Sequence, residues 1–208
     1  MTRTPLDSHS AQEDKSLIVA IRSGDYDAFT LLYNKYIQPL TQYGLKFIAD
    51  LPAVEDCLHD VFVWLWANRH KLDMHTSVKS YLFKAVRTTM LHGLQKQNRL
   101  RGLNTVNPGD EPGYPFELQL TPETLVLHNE NQRQLRQQIG GVLNNLTAKQ
   151  KEVIYLRYYE GLNFEEIARN MNLSVKACYK LMGRAITILR EKIPGSMVLL
   201  IILLLLFV

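Results

Sequence analysis

Hydrophobic positions recur every three to four residues along most of the chain, which is the period of an amphipathic helix rather than of a strand. In the stretch from Val54 to Trp66, the residues Val54, Cys57, Leu58, Val61, Phe62, Leu65 and Trp66 form one apolar stripe, leaving Glu55, Asp56, His59, Asp60 and Trp64 on the outward side. Near the other end, Asn163 followed three residues later by Glu166 is a capping-box signature, so a helix should open at Phe164 and bury Ile167, Ala168 and Met171. Asn172 tolerates the left-handed conformation that stops such a helix, and Ser174 is placed to cap a second, longer one after a turn of about three residues. Thr147 with Gln150 makes another capping box, opening a helix through Val153, Ile154, Leu156 and Tyr158 that Gly161 can terminate.

Two short-range patterns carry chemistry. The helix after Ser174 sorts Val175, Cys178, Leu181, Met182, Ala185, Ile188 and Leu189 onto an apolar face, and Lys176, Lys180, Gly183, Arg184, Thr187 and Arg190 onto the opposite one, with no acid before Glu191. A surface of one sign on the second helix of a helix-turn-helix is placed to meet the phosphates and base edges of a DNA major groove. Lys79, Lys84, Arg87, Lys96, Arg99 and Arg101 likewise follow one another without an intervening acid, which suits phosphate binding; Tyr81, Phe83 and His92 are open to stacking on unpaired bases, although Tyr81, Leu82 and Phe83 read first as core.

Between these blocks the composition changes. Residues 102–122 hold Pro108, Pro112, Pro115 and Pro122 with Gly102, Gly109 and Gly113, and their only charges are Asp110, Glu111 and Glu117. Such a segment is expected to be an extended, acidic linker without a core of its own. The fold class that follows is all-α, with two small helical domains joined by a flexible linker: a tail over 1–16, a domain over 17–101, the linker over 102–122, a helix-turn-helix domain over 123–194 and an apolar tail over 195–208.

The run LNNLTAKQKEVIYLRYYEGLNFEEIARNMNLSVKACYKLMGRAITILREKI resembles region four of the sigma-70 family of bacterial transcription initiation factors. The resemblance rests on Leu146, Glu160-Gly161, Glu165-Glu166-Ile167-Ala168, Ser174-Val175, Arg184-Ala185 and Leu189-Arg190. GDYDAFTLLYNKYIQPL, VEDCLHDVFVWLWANRHKL and SVKSYLFKAVRTTMLHGLQKQNR are similar to successive helices of region two, so the match is to the small extracytoplasmic-function group that has regions two and four only. The resemblance implies that Glu55, Asp56, His59, Asp60 and Trp64 grip core RNA polymerase. It implies that His75, Lys79, Lys84 and Arg87 serve the minus 10 element of promoter DNA, and that Lys176, Tyr179, Lys180, Gly183, Arg184 and Thr187 read the minus 35 element. It also implies a membrane-spanning anti-sigma factor as regulator.

The remaining composition adds limits. A net charge of +4 favours a polyanionic partner only mildly. Cys57 and Cys178 fall on apolar faces of separate domains and read as buried thiols of a cytoplasmic protein with no secretory leader. His70 and His75 lack metal-ligand spacing, and no nucleophile-base pair, phosphate-cradling loop or paired-acid signature is present, so no metal, cofactor or enzymatic activity is expected. Residues 197–208 are entirely apolar, but twelve residues of helix span only about 18 Å against about 30 Å of bilayer hydrocarbon. That tail is open to docking on the protein, binding an inhibitor or weak membrane association. The rival readings are a helix-turn-helix operator-binding regulator acting without polymerase and, from the tail alone, a membrane-tethered adaptor.

Overall fold

A computed structural model of the chain describes residues 5–72, 77–100, 113–118 and 140–192. Among these there are helices and turns and no strand. The chain divides into two compact units, Met1–Tyr114 and Pro115–Val208.

The first unit is built from α1 (Pro5–Arg22), α2 (Tyr26–Gly44), α3 (Leu51–Ala67) and α4 (Val78–Leu100), with a 3-10 turn at Arg69–Lys71. Local chemistry sets the starts of the middle helices. The carboxylate of Asp25 accepts the Ala28 N–H at 3.0 Å, and that of Asp50 accepts the Ala53 N–H at 3.3 Å, each satisfying an amide that the helix leaves without a partner. The expected stripe of α3 is buried at Val54, Cys57, Leu58, Val61, Phe62 and Leu65, while Trp66 is half-buried. Interleaved rings hold α2 against α3: Tyr33 lies 4.9 Å from Phe62, and Phe29 lies 5.1 Å from Trp66. At the end of α2 the backbones close in so tightly that a Cβ on Gly44 would sit 2.6 Å from Cγ1 of Val54. Leu82 and Phe83 are fully buried and Tyr81 is half-buried, in keeping with their reading as core.

The structure departs from the expected tail over residues 1–16, because α1 is helical from Pro5. The buried carboxylate of Asp14 accepts hydrogen bonds from Lys35 at 2.6 Å and from the Tyr36 hydroxyl, both on α2. An acid surrounded by polar or charged neighbours in sequence gives no sign of burial until a cation and a phenol from another helix come to meet it.

The second unit comprises a helical turn over residues 140–143, α5 (Ala148–Ile154), a π-turn (Tyr155–Tyr159), α6 (Phe164–Met171) and α7 (Val175–Lys192). The α-helix expected through Tyr158 therefore stops at Ile154. The chain widens by one residue per turn, with the Glu160 N–H donating to the Tyr155 carbonyl at 3.2 Å, so that the rings of Tyr155 and Tyr159 stack 5.1 Å apart. Gly161, at φ +65°, then reverses the chain.

The segment 113–118 also corrects an expectation. It has no regular secondary structure, but it is not without a core: Tyr114 is buried in the first unit, stacked 5.7 Å from Phe47, and Phe116 is buried in the second, 5.9 Å from Tyr155. Glu117 bonds the nearly buried Lys151 at 3.1 Å. Aromatic residues within a Pro- and Gly-rich stretch are anchors, a reading that composition averaged over the stretch conceals. The rest of the expected linker, residues 102–112 and 119–122, and the apolar tail lie outside the described residues.

Candidate nucleic-acid interface

Both capping boxes of the second unit are formed. The Glu166 N–H donates to Oδ1 of Asn163 at 2.8 Å and the Asn163 N–H donates to Oε2 of Glu166 at 2.9 Å; Thr147 and Gln150 exchange the same pair at 3.3 and 2.9 Å. Asn172 adopts φ 53° and ψ 45°, and the Leu173 N–H returns to the Ala168 carbonyl at 2.9 Å. Ser174 then caps α7 by accepting the Ala177 N–H at 3.2 Å. Two hydrogen-bonded caps and one left-handed residue thus fix the angle at which α7 leaves α6.

Inward from this turn, Cys178, Met182, Ala185 and Leu189 are buried, and Val175, Leu181 and Ile188 are half-buried. Outward, Lys176, Lys180 and Arg184 are exposed, and none pairs with a carboxylate among the described residues. Unpaired cations at successive turns leave their charge available to an external polyanion. Thr187 is exposed, but its hydroxyl donates to the Gly183 carbonyl at 3.1 Å, leaving it chiefly as an acceptor. Gly183 is exposed with open space where a Cβ would stand, and Tyr179 is 55% exposed with its ring 4.0 Å from that of Phe164.

In the first unit, Glu55, Asp56, His59 and Asp60 are exposed on α3, with Trp64 at 54%. Val63 joins them. It falls angularly between His59 and Asp60 and is 52% exposed, an apolar side chain inside an acidic surface. Sequence reasoning passed over it because it neither belongs to the core stripe nor carries charge; its outward helical position was the available signal.

The expected minus 10 residues divide. Lys84 is exposed, Lys79 is half-buried with Nζ 5.8 Å from the Phe83 ring centroid, and His75 lies outside the described residues. Arg87 is a correction: it is only 3% exposed, donates through Nη2 to the Tyr114 hydroxyl at 3.2 Å, and lies 5.3 Å from the centre of that ring. Its guanidinium is bonded to Tyr114 and does not face solvent. The exposed cationic surface of α4 lies instead toward its C-terminal half, where His92, Gln95, Lys96, Arg99 and Leu100 line an open groove.

Both cysteines are buried, as expected. Burial, assisted by the charge of Asp60, pushes the Cys57 thiol up to about 11, and burial raises that of Cys178. Among the described residues no cluster of ligands could hold a metal ion, and no helix is long and apolar enough to cross a membrane.

A helix-turn-helix whose second helix carries cations that pair with no carboxylate among the described residues, in one chain with a helical unit that has an acidic and aromatic face, defines a DNA-binding protein that also engages a protein partner. The sigma-70 region 2 family profile matches residues 32–100 and the sigma-70 region 4 profile matches residues 136–189. The chain is 27% identical over 167 residues to the ECF RNA polymerase sigma factor SigX of Bacillus subtilis, covering 79% of this chain and 83% of that one. It is 24% identical over 190 residues to the ECF RNA polymerase sigma-E factor of Haemophilus influenzae, covering 88% and 97%. Its fold is similar to that of CnrH, solved in complex with the cytosolic domain of CnrY (TM-score 0.56, 22% identity, 86% of this chain and 96% of that one). It is similar also to the sigma factor RpoE of Bartonella quintana, solved with the anti-sigma factor NepR (TM-score 0.56, 20% identity, 78% and 94%). The chain belongs to the extracytoplasmic-function group of the sigma-70 family and has its regions two and four.

Proposed function

We propose that the chain binds core RNA polymerase through the α3 face of Glu55, Asp56, His59, Asp60, Val63 and Trp64 and brings to the promoter a second unit that reads the minus 35 element with α7. Lys79, Lys84 and the basic C-terminal half of α4 engage the minus 10 region. The observation that carries this reading is the pairing, within one chain, of an unpaired cationic recognition helix with an acidic surface that holds exposed Trp64 and Val63. Cations serve a polyanion, whereas an exposed tryptophan one turn beyond Asp60 on a helix that also exposes Glu55 and Asp56 suits a protein interface with a basic partner. The work is binding and strand opening, done in the cytoplasm where polymerase and chromosome meet, and the sigma-70 family is not a known class of enzyme.

A protein inhibitor of the anti-sigma kind completes the scheme, supported by the structure of RpoE solved with the anti-sigma factor NepR and by that of CnrH solved with the cytosolic domain of CnrY. The test is reconstituted transcription with core polymerase and genomic DNA of the source organism. Discrete start sites that require this chain are expected. Start sites identical to those of core polymerase alone would overturn the reading, and a footprint that forms equally well without polymerase would favour an operator-binding regulator.

A further inference from the structure

Tyr179 is exposed, yet it is held. Its ring centroid lies 4.0 Å from that of Phe164 on α6 at an interplanar angle of 31°, and the Arg157 guanidinium lies 5.4 Å from the centre of the Phe164 ring. Arg157 is itself fixed, because Nη1 donates to the Leu162 carbonyl at 3.0 Å. Side chains from the π-turn, α6 and α7 therefore form one stack whose outer member stands on the recognition helix. A solvent-facing tyrosine normally loses rotamer freedom when a ligand orders it; here packing has already imposed most of that ordering.

The position of the ring says what it can read. Tyr179 is the fifth residue of α7, in the N-terminal half from which a helix-turn-helix reaches base edges. One turn further on stands Gly183, where beyond its chain neighbours and the helix's own backbone no heavy atom lies within 4 Å of where a Cβ would be. The helix surface therefore has an apolar wall at the Tyr179 ring and a bare floor at the Gly183 Cα, flanked by the charged Lys176, Lys180 and Arg184. Hydrogen-bonding groups dominate the major-groove edges of the bases, and the thymine C5-methyl is the apolar feature there.

We propose that Tyr179 and Gly183 form a notch that reads a thymine methyl group in the minus 35 element, with Phe164 and Arg157 as positioning residues. The proposal rests on α7 being the minus 35 helix. Full-length chain assembled with core polymerase is used to select binding sites from duplexes randomised across the upstream promoter region. Each thymine of the selected site is then replaced in turn by deoxyuridine, which lacks only the methyl. One replacement should weaken wild-type binding about fourfold, the value of one buried methyl-sized group. The same replacement should have no effect on the Tyr179→Ala or Gly183→Ala holoenzyme, and should have less than half its wild-type effect with Phe164→Leu, whose dependence on salt stays that of wild type. Absence of any uridine effect, or an undiminished effect with Tyr179→Ala, overturns the notch; an undiminished effect with Phe164→Leu overturns the positioning role. Failure of the wild-type holoenzyme to select any upstream sequence would instead overturn the minus 35 reading itself.

Discussion

Arg87 offers a direct test of what a basic residue on a helix proposed to meet DNA is for. Tyr114→Phe removes one hydroxyl and leaves the ring in place on Phe47, so the buried guanidinium loses one of its partners while the aromatic packing survives. A hydrogen bond to a charged group contributes about 1.5–3 kcal/mol, and at 3.2 Å this one belongs at the lower end, so the loss should be about 1–2 kcal/mol. Tyr114→Ala also removes the ring, and truncating a buried aromatic costs about 3–5 kcal/mol. The two tryptophans of the chain, Trp64 and Trp66, both lie on α3, so their emission during urea unfolding reports the first unit alone. Arg87→Met, which keeps much of the stem and removes the charge, should destabilise the unit and make Tyr114→Phe nearly silent in its background. The slope of promoter affinity against salt should be unchanged by Arg87→Met. The reasoning fails if both Tyr114 variants unfold within about 0.5 kcal/mol of wild type, the scale of an ordinary surface substitution, or if Arg87→Met lowers the salt slope by about one while stability holds.

Three further outcomes are expected. Lys180→Ala and Arg184→Ala should each cost about 1–3 kcal/mol of promoter affinity where the side chain meets a base edge, or lower the salt slope by about one where it meets phosphate; holoenzyme titrations at several salt concentrations separate the two, and wild-type values in both would remove α7 from the interface. Trp64→Ala combined with Asp60→Lys should reduce co-purification with core polymerase at unchanged helicity, and Val63→Ala should weaken it by a smaller step; undiminished recovery of the double variant would move the docking site elsewhere. Gly44→Ala should destabilise the first unit, because overpacking costs about 1–3 kcal/mol against at most about 1 kcal/mol regained from helix preference, and Val54→Ala should cost less in that background than alone, as read by urea unfolding.

What the sequence disclosed was local. The Asn163–Glu166 and Thr147–Gln150 boxes, the left-handed stop at Asn172 and the two faces of α7 depend on residues within a few positions of one another, and spacing alone reveals them. What it concealed depended on distant partners. Arg87 belongs by position to a basic run, and its bond to Tyr114, twenty-seven residues on, is made in its buried position. Asp14 is one acid among several polar neighbours until Lys35 and Tyr36 enclose it. The π-turn arises where Tyr155 and Leu156 are both buried, a packing demand that no turn residue announces before Gly161.

Each unit contains a single cysteine, Cys57 in the first and Cys178 in the second, and both are buried. A thiol reacts with an alkylating agent as its thiolate and only when reached, so each sulfur stays silent until its own unit breathes open. The natural chain thus carries two independent clocks. Pulsed alkylation followed by peptide mass analysis would time the opening of each half within the intact protein, free or bound to polymerase or inhibitor, and would show directly which half a given partner clamps shut.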